Sequence, residues 1–152
     1  TTHLMLTELI DGIKPRMTVL DLGSGSGILA ITAKKLSAGK VTAVEVDAEC
    51  TINFMENLEL NQLSGKIECI EMDILEWCDF SYDLILANIN KNVITSLIPK
   101  MTQSKANIFL AGLLDSHEKE LSAILKKHQF RIIKRQIINE WLLLHIKYDQ
   151  SS

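Results

Sequence analysis

The chain has 152 residues, of which 47% are hydrophobic and 23% charged, with a formal net charge of −3. This length allows one domain with a substantial core, and no apolar run is long enough to span a membrane. Because the chain is acidic overall, it lacks the positive charge by which general nucleic-acid-binding proteins hold phosphate backbones. We expect no signal peptide and a cytoplasmic location.

The charges are unevenly distributed along the chain. Residues 1–95 carry 7 basic and 14 acidic side chains, whereas residues 96–152 carry 9 basic and 5 acidic ones. An acidic end that faces a cationic ligand would explain this bias, and so would ordinary variation of the surface. The cysteines Cys50, Cys69 and Cys78 lack metal-ligand spacing, so we expect reduced packing residues.

Apolar segments alternate with breaks along the whole chain, in the pattern of strands followed by helices. A helix is expected within the first ten residues. The expected strands are 17–22, 40–46, 66–72, 82–89, 106–112, Phe130–Ile138 and 141–146. The expected helices after the first are 28–36, Ala48–Leu60, 93–101 and 116–128.

This order of elements predicts an α/β fold with a mainly parallel sheet and helices on both faces. Only Asn139 and Glu140 separate the last two strands, so these should form an antiparallel hairpin. We therefore expect a single domain over residues 1–152 with a Rossmann-like, seven-stranded, mostly parallel sheet that closes with an antiparallel hairpin.

The first strand ends in the glycine-rich turn Gly23-Ser24-Gly25-Ser26-Gly27, directly before a helix. Glycines without a Cβ atom let the backbone pass close to a ligand. The start of the following helix offers free N–H groups to that ligand. The turn therefore predicts a site for a nucleotide-like molecule.

Polar side chains end the first four strands, where an open α/β sheet binds its ligands. Glu45 lies 22 residues after Gly23 and could accept bonds from both hydroxyls of a ribose, or it could be a solvated cap of the next helix. Asp47 fits the cap role better. Asp73, with the backbone of Ile74 beside it, could bind an adenine amine or cap its own loop.

Glycine spacing alone leaves two cofactor classes open. Residues 25–30 also fit G-x-G-x-x-A, the dinucleotide pattern of oxidoreductases. However, the Asp21 carboxylate at the end of the strand would repel a pyrophosphate, whereas it suits an ammonium or sulfonium ligand. The closing hairpin also has no place in half of a dehydrogenase.

The segment from Val19 to Gly27 resembles the first motif of class I S-adenosylmethionine-dependent methyltransferases. Within that group, the chain is similar to the catalytic domain of the ribosomal protein L11 methyltransferases. The similar segments are Thr1-Thr2, Gly23-Ser24-Gly25-Ser26-Gly27-Ile28-Leu29-Ala30-Ile31, Ala87-Asn88-Ile89, Ala111-Gly112-Leu113-Leu114 and Asn139-Glu140-Trp141.

The resemblance implies S-adenosylmethionine as cofactor, S-adenosylhomocysteine as product and no metal. Thr2 would contact the methionine part, Glu45 the ribose and Asp73 the adenine. Asn88 would be catalytic, facing the methyl group and the incoming amine. The implied cofactor-binding residues are Thr2, Asp21, Gly23, Ser24, Gly25, Gly27, Glu45, Val46, Asp73, Ile74 and Asn88.

The resemblance also implies N-methylation of a protein amine, with a ribosomal protein as the candidate substrate and no membrane partner. The family's N-terminal substrate-recognition domain has no counterpart in this sequence, Glu45 stands where Asp is usual, and Ser104-Lys105-Ala106 replaces a common glycine pair. An RNA or small-molecule methyltransferase, a cofactor-binding module that is inactive without a further domain, and an oxidoreductase remain alternatives. Nucleic acid is not indicated, because basic and aromatic residues are not interleaved.

Overall fold

A computed structural model describes residues 2–149. Within them, seven strands form one sheet in the order β3-β2-β1-β4-β5-β7-β6, and only β7 runs in the opposite direction to the other six. The strands are β1 (Val19–Leu22), β2 (Val41–Glu45), β3 (Glu68–Glu71), β4 (Leu84–Asn88), β5 (Asn107–Leu114), β6 (Phe130–Ile138) and β7 (Trp141–Tyr148). The fold class predicted from the sequence is confirmed.

Helices cover both faces of the sheet. The helices are α1 (Thr2–Gly12), α2 (Ile28–Lys35), α3 (Ala48–Leu60), α4 (Lys91–Leu97) and α5 (Glu118–Lys127). Apolar side chains of α1, α2 and α3 form one core with the sheet, and those of α4 and α5 form a second core on the other face. All four residues of β1 are buried, as expected for a strand in the middle of a sheet that is covered on both sides.

Several predicted boundaries were wrong. The predicted helix 93–101 ends at Leu97, and Ile98–Met101 is a 3₁₀ turn, because Pro99 lacks an N–H group and cannot continue the α-helical bonding. The predicted helix 116–128 begins only at Glu118, after a 3₁₀ turn over Asp115–His117. The strands predicted as 106–112 and 141–146 extend further, to Leu114 and Tyr148, because Leu114 pairs with β7 and Tyr148 pairs with β6.

The strand order changes direction between β1 and β4, which are neighbours in the sheet. We call the side where β1, β2, β3 and β4 end the carboxyl edge, and the side where these strands begin the amino edge. The loops after Leu22 and Asn88 leave the carboxyl edge at this switch point, where α/β sheets bind ligands.

The cysteines are free, and their environments differ. Cys50 and Cys69 are half-buried, but Cys78 is exposed, so the expectation that all three are packing residues was wrong for Cys78. Across residues 2–149, no helix is long and apolar enough to cross a membrane. Thr1, which belongs to one of the segments that carry the family resemblance, lies outside the described residues.

Candidate cofactor site

A cavity of about 400 Å³ opens at the carboxyl edge, a volume typical of small-molecule sites. Five predicted cofactor-binding residues line it: Gly23, Glu45, Val46, Asp73 and Ile74. Ile89 and Asn90, which the sequence places at the end of the fourth strand, also line it, and so do Leu75 and Val93, which were not predicted. The structure thus brings the ends of four consecutive strands to one cavity.

The glycines of the turn do different work. Gly27 has φ +88°, and a Cβ atom there would lie 2.3 Å from the Phe54 ring, so this glycine is required for packing against α3. Gly25 has φ +56°, and a Cβ atom there would meet nothing within 4 Å. The space beside Gly25 is therefore open, as a backbone that passes under a ligand requires.

Two buried polar atoms beside this turn lack a hydrogen-bond partner among residues 2–149. They are Asp21 Oδ2 and Ser24 Oγ, in side chains that are 1% and 8% exposed. Buried polar groups are almost always paired, so such atoms call for a ligand or water. A carboxylate oxygen and a hydroxyl group together fit a cofactor with a cationic group that forms hydrogen bonds.

Burial raises the pKa of the Asp21 carboxyl to about 7. The Ala30 N–H opposes this shift by favouring the charged form, and the negative charge of Glu45 adds to it. Because the charged form of Asp21 lacks a partner cation in the described chain, a positively charged ligand would supply the missing stabilisation.

Glu45 joins the end of β2 to the glycine-rich turn. Its Oε1 accepts a hydrogen bond from Gly25 N at 2.9 Å, and its Oε2 accepts bonds from Val46 N at 2.9 Å and Asp47 N at 3.0 Å. Glu45 is therefore not the cap of α3. Asp47 caps that helix, with bonds from Glu49 N at 2.8 Å and Cys50 N at 3.2 Å.

These bonds limit what Glu45 can still accept. A carboxylate offers about four acceptor positions, of which three are occupied here. One ribose hydroxyl could therefore use the free position. A second hydroxyl would have to displace one of the three backbone N–H groups or share its position. The predicted ribose contact is compatible with this geometry only on those terms.

Asp73 caps its own loop, which is one of the two roles that the sequence left open for it. Its Oδ1 accepts a hydrogen bond from Leu75 N at 3.0 Å and caps the 3₁₀ turn Ile74–Glu76. Its Oδ2 accepts no bond from residues 2–149, so the side chain can cap its loop and still face the cavity.

Asn88 lies at the end of β4, half-buried, and reaches the first described residue. Its Nδ2 donates to Thr2 Oγ1 at 3.4 Å, which ties the start of α1 to the carboxyl edge. Asn90 caps α4 by accepting a bond from Val93 N at 3.0 Å. The sequence places Asn90 at this end of the sheet, and asparagine is a favoured residue for such a cap.

Concavities elsewhere do not compete with this site for the predicted residues. One of about 500 Å³ lies at the amino edge and contains none of them. Among the described residues, no group of three His, Cys, Asp or Glu side chains could hold a metal ion.

Comparison with known proteins identifies the family. The family model described as "Ribosomal protein L11 methyltransferase (PrmA)" matches residues 1–149. The chain belongs to the ribosomal protein L11 methyltransferase family. The resemblance inferred from its motifs is thereby confirmed.

Relatives in this L11 methyltransferase family are similar to the chain over almost its full length. A ribosomal protein L11 methyltransferase of Desulfitobacterium hafniense is 36% identical over 155 residues, covering 100% of this chain and 49% of the relative. One of Carboxydothermus hydrogenoformans is 37% identical over 147 residues, covering 95% and 48%. The chain thus spans about half the length of the curated relatives it matches.

A solved L11 methyltransferase-family structure has the same fold. The ribosomal protein L11 methylase of Lactobacillus delbrueckii subsp. bulgaricus is 29% identical, with a TM-score of 0.88 over 97% of this chain and 79% of that one.

Proposed function

We propose that this domain binds S-adenosylmethionine at the carboxyl edge and transfers its methyl group to an amine of a ribosomal protein, with S-adenosylhomocysteine as the product. The observation that carries the proposal is the family match over residues 1–149, joined to a buried Asp21 oxygen beside the glycine-rich turn that no described residue pairs with. A nicotinamide dinucleotide is disfavoured, because its pyrophosphate would face Asp21 at this turn.

The cofactor would be held by the residues predicted from the sequence. When bound, S-adenosylmethionine supplies a methyl group on a positively charged sulfur. Asp21 and Ser24 would accept and donate hydrogen bonds at its amino-acid end, together with Thr2 and the bare backbone of Gly23 and Gly25. Glu45 and Val46 would hold the ribose, and Asp73 and Ile74 the adenine. Gly27 would act through packing, by keeping the turn against α3.

Asn88 would position the acceptor amine. Its amide nitrogen donates to Thr2 Oγ1, so its carbonyl oxygen is left to accept a bond from an incoming N–H. This bond would aim the nitrogen lone pair at the methyl group. Such orientation can lower a barrier by roughly 7–11 kcal/mol at most.

The acceptor must be a neutral amine, because a protonated one has no lone pair to attack with. A lysine in water is mostly protonated at neutral pH, and burial lowers its pKa. A protein substrate that covers the carboxyl edge would provide this burial.

A second candidate is a domain that binds the cofactor but turns over nothing alone. The observation that favours it is coverage, since the relatives carry about as much chain again outside the matched region.

Two measurements on the chain test the proposal. Isothermal titration should show binding of S-adenosylmethionine and S-adenosylhomocysteine. Radiolabelled methyl groups should then appear in a ribosomal-protein fraction rather than in RNA or metabolite fractions. Binding without any transfer would support the second candidate, and label in RNA or metabolites would contradict the protein substrate.

Asn88→Ala separates binding from chemistry. The variant should keep most of its cofactor affinity and lose turnover, whereas Asn92→Ala, an exposed position on α4, should change neither. Turnover that survives in Asn88→Ala would remove the assigned catalytic role.

A further inference from the structure

The amino edge carries two adjoining grooves that are lined by cations. One, of about 380 Å³, is lined by Lys14, Arg16, Lys105 and Lys147 among other residues. The other, of about 500 Å³, contains Lys100 and again Lys105. We call these five side chains the basic face. Because Lys105 belongs to both grooves, the two form one continuous surface.

The fold assembles this face from distant parts of the sequence. Lys14 and Arg16 lie in the link between α1 and β1, and Lys105 lies two residues before the start of β5. Lys147 pairs in register with Asn107, because the antiparallel β7 ends where β5 begins. No local run of basic residues exists, which is why the sequence alone did not indicate such a surface.

Positive charge exceeds negative charge on the basic face. Within residues 2–149, none of its five cations forms an ion pair, although Lys91, Lys134 and Arg135 elsewhere each pair with a glutamate. Asp83 is the one carboxylate among the residues that line the two grooves. Its Oδ2 already accepts bonds from Thr18 N at 2.9 Å and Thr18 Oγ1 at 3.1 Å.

The chemistry between the cations favours a phosphate chain over a protein partner. The large apolar side chains that are exposed in the described chain all lie away from these grooves, on other surfaces such as β6 and α3. Protein interfaces rely on apolar and aromatic anchors, whereas nucleic-acid interfaces are polar and strongly positive. Gln103 adds an exposed side-chain amide, a group that contacts phosphate and sugar, whereas the Thr102 and Ser104 hydroxyls already donate to Pro99 O and Phe80 O.

We propose that the basic face binds the phosphate backbone of RNA without reading its sequence. The grooves and their charges stand on the geometry alone, and the choice of RNA rests on the proposed function, since ribosomal RNA surrounds ribosomal proteins. Because the face lies at the edge opposite the cofactor cavity, RNA and cofactor can be bound at the same time.

Fluorescence anisotropy with a labelled, mixed-sequence RNA duplex tests this directly. Binding should weaken steeply between about 50 and about 200 mM salt, with a log–log slope of about −3 or steeper. Lys105→Glu should weaken binding roughly tenfold at low salt and flatten the slope by about 1 or more. Lys119→Glu is the matched control, an exposed lysine outside both grooves with the same change in charge, and it should bind as the parent does.

Three outcomes would overturn the proposal: no salt-dependent binding by the parent chain, equal losses in the two variants, or competition by poly-glutamate as effective as that by unlabelled RNA. The last result would assign the face to an acidic protein segment. The assay contains no cofactor, so its failure leaves the methyltransferase proposal intact. If the chain binds RNA but transfers no methyl group, the basic-face proposal stands and the methyltransferase proposal fails.

Discussion

The two edges of the sheet differ in how their polar groups are satisfied. At the carboxyl edge, Asp21 and Ser24 are buried, and one oxygen of each has no partner in the described part of the chain. At the amino edge, Asp83 is bonded to Thr18, and the buried Tyr82 hydroxyl donates to Thr42 Oγ1 at 2.9 Å. The carboxyl edge thus holds buried oxygens without partners among residues 2–149, whereas the amino edge pairs these groups and presents its charge to the solvent.

The contrast between the two edges does not follow the uneven distribution of charge along the sequence. The first 95 residues are acidic overall, yet Lys14 and Arg16 from that part lie on the basic face. The bias along the chain therefore becomes informative only once the sheet has sorted its residues between the two edges. A net charge of −3 conceals both surfaces.

The largest effect should come from the glycine that packs the carboxyl edge. Gly27→Ala combines a left-handed backbone with a contact of 2.3 Å to Phe54, so it should lower the free energy of unfolding by roughly 2–5 kcal/mol. Gly25→Ala, with open space around it, should cost only about 1 kcal/mol and instead weaken cofactor binding. Denaturant unfolding measures both, and equal stability losses would contradict the division of roles between the two glycines.

Asp21→Asn should affect binding and stability in opposite directions. Loss of the carboxylate should weaken S-adenosylmethionine binding about a hundredfold, or about 2.7 kcal/mol. Asp83→Asn, the same change at the amino edge, should leave the affinity unchanged. Calorimetric titration of both variants checks this, and equal effects would show that the carboxyl edge has no special part in binding.

The ionisation of Asp21 should also make the stability of the ligand-free protein depend on pH. The pKa of Asp21 is about 7 in the folded state, above its ordinary value of 3.8, so its stabilising contribution is complete below pH 3.8 and is lost as the pH rises through 7. Asp21→Asn removes that loss and should be about 2 kcal/mol more stable than the parent at pH 8, after allowance for a buried amide. The advantage should vanish near pH 4 in urea unfolding, and a variant that is less stable than the parent at pH 8 would contradict the assigned pKa.

The pH dependence of affinity is a smaller effect from the same origin. A cationic ligand prefers the charged Asp21, so affinity should fall as the pH drops below about 7, by at most tenfold per pH unit. The measurement belongs between about pH 5.5 and 7.5, because an α-amino group loses its own proton near pH 8. A flat profile in the parent chain, or an equal slope in Asp21→Asn, would exclude this cause.

The smallest effect should come from the amino edge. Tyr82→Phe removes one buried hydrogen bond and leaves Thr42 Oγ1 without its donor, at a cost of about 1–2 kcal/mol. Cofactor affinity should not change, because Tyr82 lies at the edge opposite the cavity. A weakened affinity in this variant, measured beside its thermal unfolding, would mean that the two edges are coupled.

Much of this arrangement could be predicted from the sequence, because it depends on local patterns. The strand followed by glycines, the polar strand ends and the two-residue break at Asn139 and Glu140 predict the sheet, its hairpin and five residues of the cavity. The bond from Gly25 N to Glu45 Oε1 could not be foreseen, because it depends on how closely β1 and β2 approach. The basic face could not be predicted from the sequence either, because it depends on which loops and strand ends meet at the amino edge.

The central claim is that the carboxyl edge, with Asp21 beneath a bare glycine turn, holds S-adenosylmethionine. The most direct test is titration of the isotope-labelled chain with this cofactor, followed by backbone amide NMR. The account predicts that the amides of residues 23–27, 45–47 and 73–75 shift with a single dissociation constant, while those of Thr18, Asp83 and Lys105 remain in place. Shifts confined to the amino edge, or none at saturating cofactor, would contradict it.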